Sequence, residues 1–332
     1  MLLAPAKGVN NSVAGQQLLG WYNKWSDSAL PYSNRSGIGQ ISCKKGLDTK
    51  MEGIMKRLLL LGASVSIIAI ILITVFIFIK GTPLIAKVGL GDFLFNLDWS
   101  PTRGSFGIGT MLAGTCLLTF ISLFWAVPLG VAAAVFMAEV APQRIGNYLG
   151  RMVELLAGIP SVVYGFFGLI IIVPFIRIYF GGNGMSLLAG AIVLGIMVLP
   201  TIVNISRDAI TTVPGDYKTG SLALGATHYQ TIARVILPAA KSGIITAIVL
   251  GMGRAVGETM AVVMVTGNST IIPDSILSPM RTMTSSIVLE MGYASGDHQA
   301  ALFSTGVVLF VFIVVLNLGV NIAAKAGARH AG

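Results

Sequence analysis

Charge is what this chain has least of. Asp, Glu, Lys and Arg make up 11% of its 332 residues, against 55% hydrophobic, where a soluble domain carries about 25% charged residues. So few charges cannot cover a globule with polar surface, and an ordinary water-soluble fold is excluded. Cysteine is scarce too. Cys43 lies in a polar tail and Cys116 inside an apolar run, which excludes a disulfide framework or a CxxC metal site. The three histidines, His228, His298 and His330, have no metal-ligand spacing. The phosphate loop G-x-x-x-x-G-K-[ST] is missing, so ATP is not bound by that route. No Ser/His/Asp or Cys/His arrangement presents itself. The chain is therefore expected to be non-catalytic, with no metal or cofactor of its own.

The charge that is present is placed with a pattern. The formal net charge is +9, yet a nucleic-acid reading fails, because such binders cluster basic residues on a soluble face. Here they stand at the ends of apolar runs. Lys44, Lys45, Lys50, Lys56 and Arg57 precede the first run, and Lys325 and Arg329 follow the last. Membrane proteins mark their cytoplasmic side in this way.

Residues 1–54 are rich in Gly, Ser, Asn and Lys without a sustained apolar period, and read as a disordered tail. Met51 and Met55 are alternative starts, which leaves open whether the tail is translated. The run 58–79 is long enough to cross a hydrocarbon core of about 30 Å. From Met55 it also resembles a signal peptide, but it is too long for one and no A-x-A site follows. Five further runs span 107–140, 152–180, 187–205, 244–266 and 302–320. Pro128 is expected to bend the second, and the fourth is expected to end its crossing near Pro200. These readings give a membrane domain over 55–325 and a C-terminal tail over 326–332. Six crossings put both termini on one side, and the basic ends assign that side to the cytoplasm. The loop over 207–241 then lies inside as well.

That loop has strong local signals. Pro214 suits a helix start. Gly225 suits a left-handed C-terminal turn. Thr227 with Gln230 three residues later forms a capping box for a second helix, and Pro238 is expected to end it. The result is two short helices at a fixed angle with an apolar elbow, Leu222-Ala223-Leu224-Gly225-Ala226. Such an elbow either docks into a partner's groove or packs on this chain's own helices. His228 is expected to face solvent, and Arg151 and Glu154 to form a local pair.

The fifth run carries charge inside the apolar zone. Arg254 and Glu258 lie four apart, so on a continuous helix they share a face and can pair. Gly253 and Gly257 share a stripe that admits a close helix neighbour. Placing an arginine there costs about 2.5–3.5 kcal/mol. Either it meets a passing anion through its forked donors, or it belongs to a buried pair that fixes helix register. Pro160, with Gly158 and Ser161, is expected to give a packing kink in the third run rather than a break exposing backbone dipoles to the path.

Two resemblances sharpen these readings. Gly225, a nine-residue gap and Val235-Ile-Leu-Pro238 resemble the second half of the EAA loop of ABC importer permeases, which docks into an ATP-binding subunit. The family's Glu-Ala-Ala falls on Thr219-Gly-Ser221, so its acidic residue is absent here. Gly253-Arg-Ala-Val-Gly-Glu-Thr-Met-Ala-Val262 and Glu154-Leu-Leu-Ala-Gly-Ile-Pro-Ser-Val-Val-Tyr-Gly165 resemble the phosphate-specific permeases of the Pst system, the former favouring the PstC type. The resemblance covers about 55–325. It implies an all-α integral membrane protein with six transmembrane helices and the type I importer permease (MetI-like) fold. It implies Arg254 and Glu258 in the translocation path and residues 222–226 with Pro238 in the ATPase-coupling loop. It also implies a second permease (PstA-like), a dimer of ATP-binding subunits (PstB-like) that bind the ATP, and a periplasmic or lipid-anchored phosphate-binding protein (PstS-like). The alternatives are a permease for molybdate or sulfate, or an ATP-independent secondary transporter.

Overall fold

The computed structural model describes the backbone of residues 38–329, with side chains over 54–320 and at Ile322. The tail expected over 1–54 lies mostly outside the described residues. From Ile38 onward its backbone is already helical and runs into the first apolar stretch. At the other end, helix continues through the expected tail as far as Arg329.

The chain divides into two units, 1–70 and 71–332. In the first, every described side chain is exposed, although most are apolar. Water would penalise such a surface, whereas lipid is its natural solvent. Helix α1 (Ile38–Val88) carries the boundary between the units.

In the second unit, α2 (Leu90–Phe95) leads to a short hairpin of β1 (Trp99–Ser100) and β2 (Ser105–Phe106), with Trp99 opposite Phe106. This hairpin and an isolated parallel bridge between Gly267 and Met280 are the departures from all-helical secondary structure among the described residues. The bundle follows as α3 (Gly109–Val135), α4 (Gln143–Ala157), α5 (Ser161–Phe167), α6 (Val173–Tyr179), α7 (Leu187–Thr211), α8 (Gly215–Ala223), α9 (His228–Thr231), α10 (Leu237–Gly257), α11 (Met260–Val265), α12 (Met283–Glu290) and α13 (Gly296–Arg329). Among the described residues, six stretches are long and apolar enough to cross a membrane: Ile54–Val88, Gly109–Val140, Ser161–Tyr179, Leu187–Thr211, His228–Gly257 and Gly296–Val320.

Packing explains why α7 lies at the centre. Between helices in lipid there is little hydrophobic driving force, so association depends on close van der Waals fit through small residues. Gly195 of α7 lies so close beneath Trp125 of α3 that a Cβ there would stand 2.1 Å from the indole ring. Gly130 of α3 takes Ile202 against its backbone, and Gly251 of α10 takes Val198 and Ile202. Leu118, Leu194, Val198, Ile202 and Ala255 form the shared core.

Three wide π turns, Phe136–Val140, Gly168–Ile172 and Ile232–Ile236, interrupt the α geometry. The last two run directly into Val173-Pro174 and Leu237-Pro238. A proline removes an N–H and crowds the carbonyl four residues back. A wider turn before it relieves that conflict without stopping the helix. Pro238 therefore does not end the second helix of the loop, which continues unbroken from His228 to Gly257. Pro200 is likewise interior, and α7 runs on to Thr211.

The third run is not one helix with a kink. α4 stops at Ala157, and Pro160 stands in extended backbone (φ −59°, ψ 142°) just before α5. The Leu156 carbonyl at the break accepts from the Tyr164 hydroxyl at 2.8 Å and from the Ile159 N–H at 3.2 Å. Arg151 and Glu154 form no ion pair. Arg151 Nε instead donates to the Asn147 carbonyl at 3.4 Å.

Candidate functional site

The charged residues of the fifth run sit at a second break. α10 ends at Gly257, and Glu258 is extended (φ −70°, ψ 133°), so the helix assumed to carry both Arg254 and Glu258 stops between them. They form no ion pair among the described residues. Glu258 Oε1 accepts from the Ala261 N–H at 3.1 Å, which caps α11, and a carboxylate at a helix N-terminus is favourably placed. The Glu258 carbonyl accepts from the Thr284 hydroxyl at 3.0 Å. Arg254 sits in the last turn of α10, where a cation suits the helix dipole. Among the described residues its one hydrogen bond is a long one, from Nη1 to Thr201 Oγ1 at 3.4 Å. Arg254 is half-buried, and no described carboxylate pairs with it. This arrangement can meet an anion better than the neutral pair that the spacing suggested.

The two breaks face each other through their helices. A Cβ on Gly165 of α5 would stand 2.8 Å from the Cα of Ala261 in α11. By contrast, Gly253 and Gly257 meet no atom of the described residues within 4 Å of where a Cβ would stand. The expected packing stripe therefore holds no close helix neighbour among the described residues. Gly251, six residues before the break, does the packing.

The loop between the fourth and fifth spans follows its sequence signals closely. α8 starts after Pro214, and Gly225 adopts φ 85°, in the left-handed region that favours glycine. Both halves of the capping box form, Thr227 Oγ1 accepting from the Gln230 N–H and Gln230 Oε1 from the Thr227 N–H. The elbow does not fold back onto the bundle. Leu224 is 91% exposed, Leu222 is exposed, and nothing lies near the Gly225 Cα on its open side. His228, expected in solvent, instead bonds through Nε2 to the Glu139 carbonyl at 3.0 Å. Lys218 Nζ pairs with Glu139 Oε2 at 2.6 Å.

At the opposite end of the bundle a polar cluster forms that sequence reading missed. The buried Glu290 carboxylate accepts from Trp99 Nε1 at 2.9 Å and Arg281 Nη1 at 2.5 Å, and pairs with His298 Nε2 at 2.8 Å. Arg281 and His298 lie within nine residues of this carboxylate, but Trp99 is 191 positions away, and no local pattern announces that pairing. No group of three or more metal-ligating side chains gathers among the described residues.

Comparison with known proteins adds to this geometry. Residues 126–329 match the family of binding-protein-dependent transport system inner membrane components. The chain is 44% identical over 266 residues to the probable ABC transporter permease protein YqgH of Bacillus subtilis, covering 76% of this chain and 86% of the relative. It is 36% identical to the phosphate transport system permease protein PstC of Pasteurella multocida, over 68% and 77%, and 32% identical to that of Haemophilus influenzae, over 81% and 91%. Its fold is similar to that of the inward-facing MetNI methionine ABC transporter, with TM-score 0.52 at 20% identity over 64% of this chain and 92% of that one.

Proposed function

Since the chain belongs to the family of binding-protein-dependent transport system inner membrane components, we propose that it is a permease subunit of an ATP-driven importer for inorganic phosphate. It lacks the G-x-x-x-x-G-K-[ST] phosphate loop, and nucleotide binding and hydrolysis fall to a partner subunit. A second permease completes the path, a pair of ATP-binding subunits of the PstB type engages the elbow, and a PstS-type binding protein delivers solute from the other side. The elbow side is cytoplasmic, as the basic residues Lys56, Arg57, Arg144, Arg151 and Arg207 favour, and both termini lie there.

The observation that carries this reading is the exposed elbow. Leu224 stands free at the tip of two helices whose angle is fixed by a left-handed glycine and a complete capping box. A rigid apolar tip on the aqueous side of a membrane protein is suited to a partner's groove. Phosphate as the solute is supported by the relatives named for phosphate transport and by the unneutralised Arg254 between two helix breaks. ATP-driven movement of the partner pulls on the elbow, and the bundle alternates access around the breaks.

The test is uptake of labelled phosphate in cells with and without this chain, with sulfate and molybdate as competitors. Phosphate uptake that needs the chain, needs ATP and resists both competitors is expected. Competition by molybdate or sulfate at equal concentration would move the assignment to that oxyanion. Uptake by the purified chain alone in vesicles would overturn the ATP-coupled reading.

A further inference from the structure

Glu139 touches both arms of the elbow. Its carboxylate, 11% exposed, holds Lys218 of α8 at 2.6 Å, on the chain before the tip. Its carbonyl takes the His228 ring nitrogen at 3.0 Å, on the chain after the tip. That second bond requires the tautomer with the proton on Nε2. The arms are also joined directly, Ser221 Oγ to Thr231 Oγ1 at 3.0 Å. Glu139 lies in the π turn Phe136–Val140 that closes the second span. Around it, Ala134 of that span packs with Ile210, Ile232 and Ile236. Lys218–Glu139 is also the one ion pair at this end of the bundle among the described residues. The other pairs lie with Asp297 and Glu290 at the opposite end.

This placement distinguishes two ways in which a moving elbow could act. Through the chain alone it is continuous with the fourth and fifth spans. Through Glu139 it is also fastened to the second span, which packs along α7 at Gly130 and Gly195. Breaking the contact would leave a mostly buried carboxylate unpaired, a cost that a fully exposed pair does not carry.

We propose that Glu139 is a positioning residue that clamps both arms of the elbow and passes its displacement into the second span, so that hydrolysis and opening of the path stay in step. The proposal rests on the reading that the elbow docks on an ATP-hydrolysing partner. It assigns to a carboxylate of this chain a task distinct from docking itself.

The experiment uses the whole transporter reconstituted in vesicles and measures two quantities: recovery of the ATPase subunit with the chain, and phosphate moved per ATP hydrolysed. Wild-type chain that fails to recover the ATPase sinks the docking reading, independently of Glu139. For E139Q, recovery is expected to persist while phosphate moved per ATP falls about tenfold, the scale of a typical coupling free energy. The exchanged pair E139K/K218E is expected to regain most of that ratio. A purely structural role would lower the amount of complex and leave the ratio alone. If E139Q does not assemble, K218Q, altered at a side chain 38% exposed, must show the same fall. An unchanged ratio in the assembled variant, or no recovery in the exchanged pair, overturns the proposal.

Discussion

Gly195 and Gly225 are both glycines that this protein needs, for opposite reasons. At Gly195 the backbone is ordinary helix and there is no room, because the Trp125 ring occupies the place of a Cβ. At Gly225 there is open space where a Cβ would stand, and what the chain needs is a positive φ. The first glycine belongs to the contact that holds α3 against α7, and the second to a tip whose Leu224 is left bare. Stability is therefore concentrated where helices approach closely, and partner recognition where the surface is left bare. Substitutions at the two places should separate folding from coupling.

The largest effect is expected from Gly195→Leu. Forcing a side chain beneath Trp125 should cost about 3 kcal/mol of packing, and little monodisperse protein should survive detergent extraction. A well-behaved variant would break the contrast from the packing side. Next comes Gly225→Asp, which should leave the extracted protein intact but abolish recovery of the ATPase subunit. Gly225→Ala serves as its control, because it adds about 1 kcal/mol of left-handed strain without charge and should keep part of the recovery. Equal loss in both would mean that backbone shape, not the apolar surface, is what the partner reads.

Arg254→Ala should lower phosphate uptake by about tenfold or more, the loss expected when charge-assisted hydrogen bonds to an anion go, while the complex still assembles. Unchanged uptake would reduce Arg254 to a helix-end charge. The smallest effect is expected from Thr227→Ala. Loss of the cap should cost about 1 kcal/mol, read as faster hydrogen exchange at the Gln230 amide with assembly retained. An unaltered exchange rate there would show that Glu139 and the Ser221–Thr231 contact fix the elbow without the cap.

What could be seen in the sequence was local. Each span announced itself by an apolar run, and the elbow by Pro214, Gly225 and the Thr227–Gln230 pair, because caps and left-handed turns are settled within a few residues. The break after Gly257 was hidden. No proline marks it, and Met260–Val265 continues the apolar run, so spacing suggested one helix and an Arg254–Glu258 pair that does not form. Prolines misled in both directions. Pro160 accompanies a full break, whereas Pro238 is absorbed by the π turn before it. The clamp at Glu139 and the knot at Glu290 depend on residues 79 and 191 positions away, and no local pattern encodes such pairings.

The π turns impose an angular condition on the chain. Each acts as one residue inserted into an otherwise regular helix, and one residue corresponds to about 100° of rotation. Deleting a single residue within Ile232–Ile236 would thus swing Leu224 by that angle relative to Arg254, and return to Pro238 the carbonyl conflict that the wider turn relieves. In this stretch the count of residues sets the phase between the two ends of the helix, and side-chain identity has less to decide.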